Sequence, residues 1–117
     1  MTRPSPRPRA RAHGLTFGRL PTGSANAITD VPGVRVGHVT IWHGEGDEPI
    51  ARTGVTAIVP DSPIGLFHHP MPAATAVLNG AGELTGSVEI DEWGILETPV
   101  LLTGTSSVGR VGDGVVD

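Results

Sequence analysis

The sequence predicts an α/β fold assembled from short elements, and three observations carry that reading. Val34-Arg-Val-Gly-His-Val-Thr-Ile-Trp42 alternates apolar and polar positions with the two-residue period of a strand. Pro99-Val-Leu-Leu-Thr103 is an unbroken apolar run, the pattern of a strand covered on both faces. Between them a glycine-rich turn, Asn79-Gly-Ala-Gly-Glu-Leu-Thr-Gly86, leads into residues with helical spacing of apolar positions. The 117 residues include 17 Gly and 11 Pro, close to a quarter of the chain, yet 38% are apolar and fall in bounded runs. A packed fold with many tight turns follows, rather than a low-complexity chain.

In chain order, residues 1–20 read as an extended arm, because Pro4, Pro6 and Pro8 alternate with arginines and, after Met1, no large apolar residue precedes Leu15. Residues 21–117 form the body. Pro32-Gly33 marks a turn into the Val34–Trp42 strand, which places Val34, Val36, His38, Thr40 and Trp42 on one side. A polar loop over residues 43–53 leads to a second β-branched strand, Gly54–Val59, stopped by Pro60. Residues 60–72 hold four prolines and read as an irregular surface segment. Ala73–Leu78 reads as a small-residue strand, 84–93 as a short helix, and 99–103 as the buried strand. A helix is expected to open near Ser106 with Thr and Ser caps. It runs to residue 117 with no stop signal, so the chain is expected to end inside an element.

Composition restricts the chemistry. There is no Cys, Tyr or Lys, and all eight basic residues are arginine. Disulfides, a thiolate nucleophile, a Cys-bound zinc, a Walker-type lysine loop and a Ser–Lys dyad are therefore excluded. Arg3, Arg7, Arg9, Arg11 and Arg19 precede the first acid, while beyond them 12 acidic residues face only Arg35, Arg52 and Arg110. So acidic a body repels nucleic acid and leaves only the arm to touch phosphate. No stretch approaches the ~20 apolar residues of a membrane span, and the expected location is cytoplasmic.

Four groups of residues carry possible chemistry. Gly80, Gly82 and Gly86 have the look of a phosphate-cradling loop. Their spacing is Gly-x-Gly-x-x-x-Gly, however, and Glu83 would sit beside the phosphates; a turn needing positive φ or close backbone approach is the competing reading. His68-His69 lacks a third ligand at useful spacing and reads as a structural or solvated pair, so no metal site is assigned. Glu89, Asp91, Glu92 and Glu97 form the densest acidic group; Glu89 and Glu92 would share a helix face, either as paired catalytic carboxylates or as a solvated surface. Thr103-Gly-Thr-Ser-Ser-Val-Gly109 presents hydroxyls and amides where a strand turns into a helix, a place that lines pockets in α/β sheets.

Several blocks together resemble one family. They are Arg9–Gly18, Asn26-Ala-Ile-Thr-Asp-Val-Pro-Gly-Val-Arg-Val-Gly-His38, Arg52–Ile58, Asn79–Gly86, Glu97–Thr103 and Thr105–Gly109. In this order they are similar to the N-terminal part of the DmpA-like family, the L-aminopeptidase/D-esterase and β-peptidyl aminopeptidase group. The resemblance implies part of a four-layer αββα sandwich and a homo-oligomer. It also implies a precursor that cleaves itself, so that a new N-terminal Ser attacks amide or ester bonds of N-terminal residues in small peptides. The α-amine of that Ser is the implied base, with no metal or cofactor. The nucleophile and the oxyanion- and amine-binding groups are expected beyond residue 117, which leaves no catalytic residue here and a chain inert alone. Asn79, Gly80, Gly82, Glu83, Thr103 and Thr105 match motif positions and are expected to shape the pocket and support the missing nucleophile-bearing chain. Gly104 departs from the family, where many relatives carry Asn. The competing reading is a glycine-loop anion- or nucleotide-binding α/β module without hydrolase activity.

Overall fold

A computed structural model describes residues 7–116. Its frame is an antiparallel hairpin of two ten-residue strands, β1 (Val34–His43) and β2 (Ala51–Pro60). They pair without interruption from Val34 opposite Pro60 to His43 opposite Ala51. Both strands extend further toward the loop than the β-branched pattern alone indicates, which shortens the expected 43–53 loop to residues 44–50.

Two local devices hold that turn. Gly44 has φ +78° and lies so close to the far end of the loop that a Cβ there would overlap the Pro49 carbonyl oxygen. Arg52 stacks on Trp42, directly across the ladder, with 4.2 Å from guanidinium carbon to ring centre. The same guanidinium donates to the carbonyls of His43, Gly44 and Ala51. Stacking at an exposed site contributes about 0.5–1 kcal/mol, so the three carbonyl bonds matter at least as much.

The strand β3 is only Met71–Pro72 and pairs antiparallel with β4 (Ile95–Leu96), the two forming a small separate sheet. Helix α1 (Ser87–Trp93) precedes β4 and ends at Gly94, whose N–H bonds the Ile90 carbonyl. The strand β5 (Val100–Leu102) pairs antiparallel with β2 at Thr56–Ile58, giving a sheet of order β1-β2-β5. A 3-10 turn (Thr105–Ser107) then leads into α2 (Val108–Val116). The protein is thus a mixed α/β unit with an antiparallel sheet and two α-helices; within these residues the four layers of the expected sandwich are not formed.

Two expectations need correction. Residues 73–78 are not a strand: β4 offers only two residues to pair with, and an alanine-rich run has little β preference without a partner. They are tied instead to α1, by the Ala73 N–H on the Gly94 carbonyl and by the Thr75 hydroxyl on the Asp91 carboxylate. The run at 99–103 does form a strand, at the sheet edge, but not one covered on both faces, since Leu102 remains 53% exposed. The first six residues of the expected arm lie outside the described residues. Its remainder includes a 3-10 turn, Ala10–His13, just past the last proline, and Arg9 donates to the carbonyls of Ala25 and Asn26.

The entry into β1 is set by Asp30. Its carboxylate accepts from the N–H groups of Ala25 (2.8 Å) and Ala27 (3.0 Å) and from the Ser24 hydroxyl (3.2 Å). Those donors, Ala25 first, hold its carboxyl below the ordinary carboxylate value.

Very little of this is a core. Leu66 is the one apolar residue counted as buried among those described, at 8% exposure. The accessible surface is 9799 Å², against ~6,000 Å² for a folded 12.0 kDa monomer. The radius of gyration is 17.2 Å, where about 13 Å is usual for this length.

Two outcomes are expected. Gly44→Ala should cost the hairpin more than about 1 kcal/mol, read as faster amide exchange across residues 39–55. Because the Asp30 carboxyl is lowered, its stabilising contribution is present above its ordinary value of 3.8 and is lost as pH falls through the lowered value. Asp30→Ala should therefore speed exchange of the Ala25 and Ala27 amides at neutral pH; unchanged exchange at both contradicts the assignment.

Candidate functional site

The place where chemistry-bearing residues converge is an open cleft of about 560 Å³ between α1 and β4 on one side and β5 and α2 on the other. Its walls follow from the apolar spacing of the elements. Helix α2 contributes Val108, Val111 and Val115, spaced i, i+3, i+7 and hence on one face. Leu84 and Ile90 come from the α1 side, Ile95 and Leu96 from β4, and Val100, Leu101 and Leu102 from β5. Four carboxylates also line it, Glu83, Glu89, Glu97 and Asp113, and no Arg or His does.

Glu97 and Glu89 are brought together because Gly94 ends α1 and turns the chain back alongside it. Desolvation, then the negative charge of Glu89, then a hydrogen bond shared with Glu89 raise the Glu97 carboxyl above its ordinary value. The sequence reading paired Glu89 with Glu92 on one helix face. The structure replaces that partner with Glu97 and leaves Glu92 out of the cleft, while Asp91 receives the Thr75 hydroxyl. The signal for the true pair is the α1 stop at Gly94, three residues before Glu97, which helical periodicity does not register.

The six motif residues fall into two sets. Glu83 and Thr103 line the cleft, and the Thr103 hydroxyl donates to the Gly54 carbonyl at 3.0 Å, fastening β5 beyond its ladder. Asn79, Gly80 and Gly82 lie in the irregular segment before α1, and Thr105 opens the 3-10 turn; none of these four is among the cleft residues. Gly80 (φ +68°) and Gly86 (φ +84°) use left-handed backbone, whereas Gly82 does not and has open space where a side chain would go. Gly104 has φ −66° and ψ 141° with open space around it, a conformation that Asn adopts freely.

A nucleophile needs a base and an oriented partner for that base. The described hydroxyl–imidazole pair is Thr56 with His38, Oγ1 to Nδ1 2.9 Å, facing each other across the β1–β2 ladder outside the cleft. No carboxylate is hydrogen-bonded to that imidazole among the described residues. Nor is there, among them, any group of three or more side chains able to hold a metal ion. No helix is long and apolar enough to cross a membrane. The cleft can hold an apolar group that carries a positive charge.

The family model described as "Peptidase family S58" matches residues 26–117. The chain is 44% identical over 113 residues to the β-peptidyl aminopeptidase BapA of Sphingosinicella microcystinivorans. It is 46% identical over 114 residues to the enzyme of that name from Sphingosinicella xenopeptidilytica. These matches take in 93% and 94% of this chain but 28% of each relative, so the chain spans little more than a quarter of their length. Among solved structures it is similar to the PH0078 protein of Pyrococcus horikoshii OT3, with TM-score 0.83 and 38% identity over 92% of this chain and 31% of that one.

For the cleft, a raised Glu97 carboxyl means that the native form favours the protonated acid, so stability falls as pH rises from the ordinary value through the raised one. Glu97→Gln keeps a hydrogen-bond donor toward Glu89 and removes the charge. Between pH 4 and pH 7 (the usual carboxylate range and above), the variant should show a flatter profile of amide protection around the cleft, corrected for intrinsic exchange, than the natural chain. An equally steep profile would remove Glu97 as its cause. Gly104→Asn should leave the fold unchanged, checked by amide chemical shifts outside residues 102–107.

Proposed function

Since the chain belongs to peptidase family S58, we propose that it is the N-terminal portion of a self-processing serine aminopeptidase or amidase. The whole enzyme hydrolyses amide or ester bonds of N-terminal residues in small peptides, and its nucleophile lies outside these residues. The observation that carries this is the extent of the match: 44–46% identity along nearly all of this chain, yet over only 28% of two β-peptidyl aminopeptidases. A solved relative keeps the same backbone arrangement within a chain about three times as long, which supports reading these residues as one part of a larger unit.

In this reading Glu83 and Thr103 shape the pocket at the cleft, and Asn79, Gly80, Gly82 and Thr105, outside it, support the nucleophile-bearing chain. The Ser of that second chain attacks the substrate carbonyl, its own α-amine takes the proton, and no cofactor takes part. The cleft supports a peptide substrate over the competing anion- or nucleotide-binding reading. A peptide's N-terminal residue joins an ammonium to an often apolar side chain, which suits apolar walls among four carboxylates. A phosphate would be repelled by the same carboxylates, and α1, with Glu89 in its first turn, repels it further. The assembled enzyme is a cytoplasmic homo-oligomer in this proposal, on the strength of the resemblance.

The isolated chain is expected to release no p-nitroaniline from aminoacyl-p-nitroanilides, and Ser-dependent turnover by it alone would overturn the inert-fragment reading. Titration calorimetry with ATP, NAD and phosphate should show no binding; micromolar binding abolished by Gly82→Val would favour the nucleotide module instead.

A further inference from the structure

The outer edge of β1 is the most conspicuous unused surface of the fold. With sheet order β1-β2-β5, β1 has a partner on one side only, along all ten residues. Its hydrogen-bonding groups can be assigned by alternation. The Asp61 N–H bonds the Gly33 carbonyl, so Gly33 and Asp61 form a hydrogen-bonded pair one step before the ladder begins. In an antiparallel pair such residues alternate with ones that point outward. Arg35, Gly37, Val39, Ile41 and His43 therefore bond β2, while Val34, Val36, His38, Thr40 and Trp42 direct N–H and C=O away from it. The close approach of Gly54 to the Val39 carbonyl, and the Thr103 hydroxyl on the Gly54 carbonyl, agree with this phase. The Val34 N–H is taken by the Val31 carbonyl. The N–H groups of Val36, His38, Thr40 and Trp42 have no partner among the described residues.

Natural edges of this length are guarded by proline, lysine, a bulge or a covering element. Between Val34 and His43 there is no proline or lysine, Arg35 is the one permanently charged residue, and the register has no bulge. The edge is about 34 Å of regular, unguarded ladder.

We infer that β1 is an interior strand of the complete peptidase, its outer edge paired with a strand from the part of the S58 chain beyond these residues. This rests on the proposed reading of the chain as the N-terminal portion. A second copy is the poorer occupant on grounds of area. The surface in excess of a folded monomer is roughly 3,000–4,000 Å², whereas one partner of a standard interface buries ~800 Å². A β1–β1 dimer would leave most of the excess uncovered. The remaining 72% of an S58 relative is large enough to cover it.

The test is coexpression of this chain with the unmatched length of the S. microcystinivorans enzyme, followed by amide-resolved hydrogen exchange on the purified complex. The odd-numbered β1 amides, bonded to β2, serve as the internal reference. Exchange at Val36, His38, Thr40 and Trp42 is expected to be as slow as at Val39 and Ile41. A complex in which those four exchange ~100-fold or more faster than the reference overturns the edge pairing while leaving the N-terminal-portion reading intact. Failure of the two pieces to associate overturns that reading and the inference with it. A dimer of this chain with protected β1 edges, formed without the other piece, also overturns the inference. A second measurement uses Thr40→Pro, which removes an outward N–H and leaves the bonds to β2 in place. Recovery of the complex should fall at least about tenfold, and unchanged recovery contradicts the pairing.

Discussion

The uninterrupted pairing of β1 with β2 is the constraint on which the other elements of the chain depend. β5 enters the sheet only through β2, and its last turn outward is fastened by Thr103 to the carbonyl of Gly54 on the same strand. The loop before β1 is clamped by Asp30 and joins the ladder at Gly33. At the far end, Arg52 closes the turn by spanning the two strands. Backbone ladder bonds, rather than side-chain packing, therefore organise the chain. That is an unusual balance for a protein of this size, because ordering each residue costs about 1–2 kcal/mol and burial normally supplies most of the compensation.

The shortage of burial gives the cleft and the sheet edge a common cause. Val108, Val111 and Val115 on α2 face β5 and the α1–β4 segment across open space instead of interlocking with them. Leu102 and Trp42 on one sheet face and Val39 and Ile41 on the other are all at least 46% exposed. The two β-peptidyl aminopeptidases that the chain matches, more than three times longer than it, have the length to cover such surfaces. In the proposed reading the acidic cleft has the same origin: an anionic, apolar-walled space that a peptide's cationic end and an added layer of chain would share.

Much of this architecture was readable from the sequence. Alternation located β1, β-branching located the inner part of β2, and the glycine turn followed by helical spacing located α1. The resemblance identified the family from ordered motif blocks, above all Asn26–His38. What was not readable depended on partners distant in sequence. The β preference of Ala73–Leu78 is too weak to make a strand when β4 offers two residues. The apolar run at 99–103 signals coverage on both faces, which the described elements do not supply. In the site, periodicity assigned Glu92 to Glu89, because it treats a helix as if it continued; the reversal after Gly94 brings in Glu97. Glu83 and Thr103 lie at the cleft while Asn79 and Thr105 do not, and nothing local in the sequence distinguishes the two sets.

The proposed reading makes these residues part of a fold and not a whole one. Scanning calorimetry of the isolated chain tests it most directly. The account predicts a broad, weak heat effect without a cooperative peak, as expected where packing is missing but the backbone ladder persists. A single sharp transition, with calorimetric and van't Hoff enthalpies equal and near the ~0.7 kcal/mol per residue of complete domains, would contradict it.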